Sequence, residues 1–546
     1  VILSGWKDRI GWYHHNAKSV GFDLTRGIQD LQGFPMEDPV LHRTFGALIT
    51  GSDGVSLNDT TLQTGGGTSQ VLAISVLTLH PSAPAQWLAA VEEQAREAET
   101  VPLEQRLKQH LEWWEQFWNR SWIYATDPTG EAFDVTKAYV LQRYITACAA
   151  RGAFPVKFNG SIFTVPFPGA PGDADYRRWG PGYWWQNTRL PYLGMCASGD
   201  FEMLKPLFRM YAGPVFELSK YRTRHYFGHP GAYYPECIYF WGTVFSESYG
   251  WQPAAEREDK LQTSGWHKWE WVAGPELVWM MLDYYDHLGD NVFLADTILP
   301  VAEEVMRFFD EFYETDAAGR LVMHPSQAVE TWWDCTNPMP EVAGLIAITD
   351  RILALPVGTV TDEQREWFAS FRSKLPDLPH RQVEEGLALA PAERFADKRN
   401  IENPELYAVF PFRLVTQSKG NADAGILALK HAWDRGNFGW RQEEIFQAYL
   451  GLAEEARVNL VERARNRDTN SRFPAFWGPN YDWVPDQDHG GILVKAFQSM
   501  LLQTDGDLVH YMPAWPAGWD ADFKLHLPGS KTVRGKIRND KLTVLR

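Results

Sequence analysis

The stretch ELVWMMLDYYDHLGDNVFLADTILPVAEEVMRFF, residues 276–309, holds two apolar runs of helical period separated by Leu288-Gly289-Asp290. Glycine can end one helix in a left-handed conformation and aspartate can start the next, so the spacing predicts two helices joined by a tight polar turn. Ser198-Gly199-Asp200 repeats the arrangement upstream. Further helical periods follow at residues 341–355, 362–374, 422–433, 441–463 and 491–503. Roughly six such pairs predict a mainly α protein built on an (α/α)6 barrel, within the usual uncertainty of helix boundaries. An open solenoid would need repeats of constant length, and none is seen.

The flanks read differently. Residues 1–82 are rich in Gly, Asp, Ser and Thr and end in the strand-like run QVLAISVLTL (70–79), which predicts a partial N-terminal β-sandwich-like region. Helical spacing over Trp87, Val91, Ala95, Leu103, Leu107, Leu111, Trp114 and Trp118 predicts a helical linker across 83–130, ahead of a barrel at 131–505. In the tail, 506–546, Phe523, Leu525 and Leu527 alternate with polar residues, and Asn539-Asp540 suits a hairpin turn, so a small C-terminal β element is expected. The first residues read like the middle of a domain, so an incomplete or processed chain is expected.

Composition narrows the function. The chain of 546 residues carries 52 basic against 69 acidic residues, a net charge of −17, and no Lys/Arg-rich tract, which argues against nucleic acid as a partner. No apolar run long enough to span a bilayer is present, so membrane insertion is not expected. Four cysteines are widely spaced, with no CxxC, and are expected to be free and buried. The histidines lack ligand spacing and no HExxH, P-loop or GxGxxG occurs, so no metal, nucleotide or other cofactor is expected.

Twenty-five tryptophans are the strongest deviation. Most should fill the core, but three polar islands set carboxylates or amides beside them: DADYRRWGPGYWWQNTRLPY (173–192), HPSQAVETWWDCTNP (324–338) and WVPDQDHGG (483–491). An aromatic face with adjacent acid/base groups suits a sugar-binding pocket, and hence an oligo- or polysaccharide substrate. Glu330, next to Trp332 and Trp333, is the general-acid candidate, because an apolar surround keeps a carboxyl protonated; a structural ion pair, for instance with Arg189, is the alternative. Asp488, ahead of an apolar helix, is the general-base candidate, against a simple helix cap. Asn187 offers an amide to orient a water or a carboxylate, and Arg189 is the nearby charge partner. Trp184, Trp185, Trp332, Trp333, Asp175 and His489 complete the substrate-binding candidates, although Asp175 has Arg177 and Arg178 beside it as salt-bridge partners.

These islands, in this order, resemble glycoside hydrolase family 95, the α-L-fucosidase and α-L-galactosidase family, or a diverged branch of it. DPVLHRTFG (38–46) resembles the end of that family's N-terminal β domain, and PELYAVFP (404–411) resembles its His-Leu-x-x-Leu-x-Pro region without the histidine. Asn187 matches the second asparagine of the family's Asn-x-Asn segment, while Trp185 replaces the first. His324 to Glu330 resembles the general-acid stretch. Asp488 to Gln503 resembles the base-bearing helix, and MPAWP (512–516) resembles the family's Leu-Pro-Ala-Leu-Pro segment.

The resemblance implies an (α/α)6 barrel between β domains, with Glu330 as general acid and Asp488, steered by Asn187, as base of an inverting glycosidase. It also implies a secreted or periplasmic location. The lost asparagine and histidine leave the sugar open. A polysaccharide lyase of toroid fold would use a Tyr or His base with a group such as Arg177, Arg178 or His229 to neutralise a uronate. A related phosphorylase would need a phosphate pocket, and a non-catalytic carbohydrate-binding protein would tolerate loss of the carboxylates.

Overall fold

The computed structural model describes residues 1–159, 179–466, 487–506 and 508–545. It divides into two compact units, 1–118 with 252–257, and 119–251 with 258–546. The division differs from the sequence-based boundaries near 82 and 130, because the expected linker has no independent existence.

In the first unit, strands Arg9–His15, Thr44–Gly51 and Leu72–Leu79 form an antiparallel sheet with Thr44–Gly51 in the centre. Helix Pro84–Thr100, the first half of the expected linker, packs on one face: Trp87 and Val91 are fully buried against Leu48. Trp87 also donates its indole N–H to the Leu77 carbonyl at 2.9 Å, which satisfies the one polar atom of a buried tryptophan.

The second unit is a ring of helices in two layers. Burial separates the layers. Helices Ala273–Leu288, Met339–Leu353, Glu443–Tyr449 and Gln487–Leu501 are buried around nearly their whole circumference, as an inner layer demands. Two short inner segments, 185–198 and 404–412, complete that layer. Helices Leu299–Phe312 and Asp362–Lys374 are amphipathic, the latter burying only Phe368 and Phe371, as outer members should. The ring closes where Gln487–Leu501 meets both Glu131–Ala149 and Leu190–Tyr192. This is the (α/α)6 barrel with flanking β elements that the helical pairs predict.

One expected helix is two. The span 441–463 breaks at Gly451, whose φ of 78° lies in the left-handed region, giving Glu443–Tyr449 and Ala453–Arg465. The pair is locked by Arg463, fully buried, whose Nε donates to Glu444 at 2.8 Å. At the C-terminus, strands Asp520–Leu527, Lys531–Arg538 and Lys541–Leu545 form a meander around the expected turn, with Asn539 and Asp540 both at positive φ. The last part of the expected linker, strand Trp122–Thr126, adds a fourth strand to this sheet beside Asp520–Leu527. The four cysteines are free, and Cys237 and Cys335 are buried. Among the described residues no helix is long and apolar enough to cross a membrane.

Candidate active site

The loops that lead into the inner helices surround a cavity of about 380 Å³, a volume in the range of small-ligand sites. Its lining comes from residues just before successive inner segments: Trp184, Gln186 and Asn187; Ser264, Trp266 and His267; Glu330; Asn400; and Trp440. Phe158, Trp179, Phe245, Glu247 and Ser248 complete its described lining.

Glu330 is carried by a tight hairpin. Strands Ser326–Ala328 and Trp332–Pro338 pair with Ala328 opposite Trp332, so Val329, Glu330 and Thr331 form the turn. Val329 has φ of 46°, a conformation that β-branched residues rarely adopt, and full burial holds it there. The third strand of this sheet, Ala392–Lys398, pairs Lys398 with Trp332. Two residues beyond that pair, Asn400 meets Glu330 and donates its Nδ2 to the Glu330 Oε2 at 2.8 Å. The asparagine amide cannot turn over freely, because its Oδ1 accepts the Ile401 N–H at 2.9 Å. Further bonds from the Arg399 N–H to the Thr331 carbonyl, 2.7 Å, and from the Glu402 N–H to Thr331 Oγ1, 3.2 Å, pin the two loops together.

Across the ring, Asn187 lines the cavity and donates its Nδ2 to Oδ2 of Asp488. Asp488 is fully buried in the first turn of Gln487–Leu501 and sits one hydrogen bond behind the lining. The helix start approaches its neighbours closely. A Cβ on Gly491 would stand 2.5 Å from the Leu190 carbonyl oxygen, so only glycine fits where this helix crosses the segment following Asn187.

Gln186, next to Asn187, is held from behind by a buried polar network. Its N–H donates to Glu236 Oε1 at 2.5 Å and its Nε2 to Glu402 Oε2. Glu402 in turn accepts from the Tyr407 hydroxyl at 2.7 Å, and that hydroxyl accepts from Arg189 Nη2 at 2.6 Å. Arg189 Nη1 donates to Glu276 at 2.6 Å. Burial works against the Arg189 charge, but Glu276, Tyr407 and Glu402 hold it protonated.

Carboxylates crowd this region. Burial pushes Glu236 and Glu270 well above the usual carboxylate range, and in both cases the charge of Glu330 adds to the effect. Burial raises Glu276 to about 7 against the pull of Arg189, and Glu341 to about 8. His267 goes the other way: burial lowers it to about 4, so it lines the cavity as a neutral ring.

The structure brings Glu330, Asn187 and Trp184 to the cavity, with Asp488 directly behind Asn187. Trp184 is wedged among Phe245, Trp179 and Phe158 at 5.1, 5.9 and 6.2 Å between ring centroids, which fixes its face. Other expected contacts are corrected. Trp185 and Arg189 lie behind the lining, committed to Glu276. Trp332 packs in a separate apolar cluster with Ala328, Cys335, Ala392 and Phe395, because it points to the opposite face of the hairpin. Trp333 stands outside the lining and props Trp266, ring centroids 5.1 Å apart, with Arg399 over its ring. His489 points into the barrel wall, bonded through Nε2 to the Arg463 carbonyl at 2.9 Å, and burial with the Arg463 charge keeps it neutral. Asp175, Arg177 and Arg178 lie outside the described residues.

Sequence reasoning passed over Trp266, His267, Asn400 and Trp440. The run SGWHKWEW (264–271) has the same mixture of tryptophan and polar residues as the three islands and carried the missing signal.

Comparison with known proteins agrees with this architecture. A family described as Domain of unknown function (DUF5703) matches residues 2–123. No curated protein sequence matches the chain. Among solved structures, one from the human microbiome, provisionally described as a kojibiose phosphorylase, aligns at a TM-score of 0.62 and 11% identity, covering 100% of this chain and 74% of its own. A glycosidase variant in complex with glucose aligns at a TM-score of 0.43 and 13% identity, covering 67% of this chain and 98% of its own, an overlap too loose to bear on the fold. The chain therefore shares the fold of the first of these structures, an (α/α)6 barrel with β elements before and after it in sequence.

Proposed function

We propose that this chain is a carbohydrate-active enzyme, and specifically an inverting glycoside hydrolase. The observation that carries the reading is the meeting of Glu330 and the Asn187–Asp488 pair at one aromatic-walled cavity. In the reaction, Glu330 gives its proton to the glycosidic oxygen as the bond from the anomeric carbon to that oxygen breaks. Asp488 takes a proton from a water oriented by Asn187, and the water oxygen bonds to the anomeric carbon from the opposite face. The electron pair of the broken bond leaves with the protonated alcohol, and the products are a free sugar of inverted configuration and the shortened glycan.

Two rivals would each need a cation at the cavity. Phosphorolysis would need one to hold the phosphate nucleophile, and lyase elimination one to neutralise a uronate carboxylate. Burial keeps His267 neutral, so it does not supply that cation. The Gln186 amide and the hydroxyls of Ser248 and Ser264, beside Trp184 and Trp440, suit a ring rich in hydroxyls.

A screen of purified protein against α-L-fucosides, α-L-galactosides and plant and host glycans tests the class. Released reducing sugar without ultraviolet absorbance supports hydrolysis. Absorbance from an unsaturated product would make the protein a lyase, and turnover only with added phosphate would make it a phosphorylase.

A further inference from the structure

A second cavity, of about 70 Å³, lies at the opposite end of the ring, where the inner segments finish. It has room for about five waters, at roughly 10–15 Å³ per water centre, or for one small oxyanion. Tyr449, Lys495, Arg413 and Asp283 line it, along with His287 and His526.

Its charges do not balance. Arg413 Nη2 bonds to Asp283 Oδ1. Arg351 Nη1 bonds to the same Oδ1 at 2.9 Å, and its Nη2 to Asp286 at 2.7 Å. Three permanent cations thus face two carboxylates. Burial keeps both histidines of the lining below their ordinary range, so they add no charge near neutral pH. The surplus falls on Lys495, which makes no hydrogen bond or ion pair among the described residues. It only faces the Phe410 and Tyr449 rings, 5.7 and 6.0 Å from their centroids.

Neighbouring groups register the positive field. Asp283 is held down to about 2 despite burial, by Arg413, Arg351 and Lys495. Tyr449 sits below the ordinary tyrosine range although burial alone would raise it, because Lys495 and Arg413 favour its ionised form. The carbonyl ends of Ala273–Leu288 and Glu443–Tyr449 offset part of this field, since helix C-termini carry partial negative charge. They supply no acceptor that Lys495 reaches.

We propose that this cavity binds a small oxyanion, of phosphate or sulfate size, between Lys495 and Arg413. The site is separate from the cavity around Glu330 and does not depend on the reading of that cavity. A bound anion ties the ends of three inner segments together, at Arg413, Tyr449 and Lys495, and so stabilises the ring by mass action.

Calorimetric titration with inorganic phosphate, at constant ionic strength set with sodium chloride, tests it on the whole chain. The expected result is saturable binding, accompanied by a rise in melting temperature, that weakens at least tenfold in Lys495→Met, survives in Lys495→Arg and is unchanged in Glu330→Gln. An absence of binding by the intact protein, or binding that Lys495→Met leaves intact, overturns the proposal. Loss of binding in Glu330→Gln alone would assign phosphate to the other cavity and overturn it equally. If Lys495→Met does not fold, an anomalous peak beside Lys495 in crystals soaked with selenate supports the site, and a flat map there refutes it.

Discussion

The side-chain amide of Asn187 donates to the carboxylate of Asp488, across 301 positions of sequence, where the first and last inner segments of the ring meet. The bond joins a residue of the cavity wall to the buried acid behind it, and so it fixes which way that carboxylate faces.

Asn187→Ala should therefore lower kcat by about 10- to 100-fold with little change in KM, because the variant loses orientation of the base and not substrate affinity. A carboxylate that loses a donor holds its proton more tightly, so the ascending limb of the pH–rate profile should move to higher pH. An unmoved limb with normal kcat would mean that the bond is structural only.

Asn400 should matter in proportion to the need for leaving-group protonation. Its N–H to Glu330 Oε2 strengthens as Glu330 becomes a carboxylate in the transition state. Asn400→Ala should slow cleavage of a natural glycoside by about 10- to 100-fold, yet leave hydrolysis of the corresponding glycosyl fluoride, which needs little protonation, close to wild type. Equal losses on both substrates would contradict this role.

The glycines after Asp488 give a graded test of the close approach. A Cβ at Gly491 meets the Leu190 carbonyl oxygen at 2.5 Å, and the backbone there cannot step aside. One at Gly490 meets the end of the Gln142 side chain. Gly491→Ala should cost about 1–3 kcal/mol or more in urea unfolding and depress turnover, with Gly490→Ala the milder of the two. The reverse order would be inconsistent with the packing described.

Buried carboxyls set a pH dependence of stability. Glu341 moves from 4.5 to about 8 on folding, chiefly by burial, and Glu276 from 4.5 to about 7. Each is raised in the folded state, so its contribution is complete below about 4.5 and is lost as pH rises through 7 to 8. Melting temperature should fall between pH 5 and 8, and Glu341→Gln, which cannot ionise, should flatten that decline. A slope unchanged by the substitution would remove Glu341 from the account.

Helical periodicity made the ring legible in the sequence, since an inner helix such as Met339–Leu353 and its outer partner Asp362–Lys374 differ in how much of their circumference is apolar. Turn chemistry located Asn539-Asp540 in the same way. The site was legible only in part. Glu330, Asn187 and Asp488 stand in islands of unusual composition, whereas Asn400 and Trp440 come from irregular segments without a period. Arg189 beside Trp184 and Trp185 reads alike whether it meets a sugar or a buried glutamate. Its partner Glu276 is 87 residues away, and only the folded ring brings it close. Likewise Trp332 and Trp333 alternate on a strand, so the two cannot share one face.

The most direct test of the central claim is the turnover of Glu330→Gln and Asp488→Asn on the best glycan from the substrate screen, with ligand affinity measured in parallel. The account predicts a fall in kcat of about 10²–10⁴ for each, with affinity within a few-fold of wild type. Wild-type turnover in either variant would contradict it.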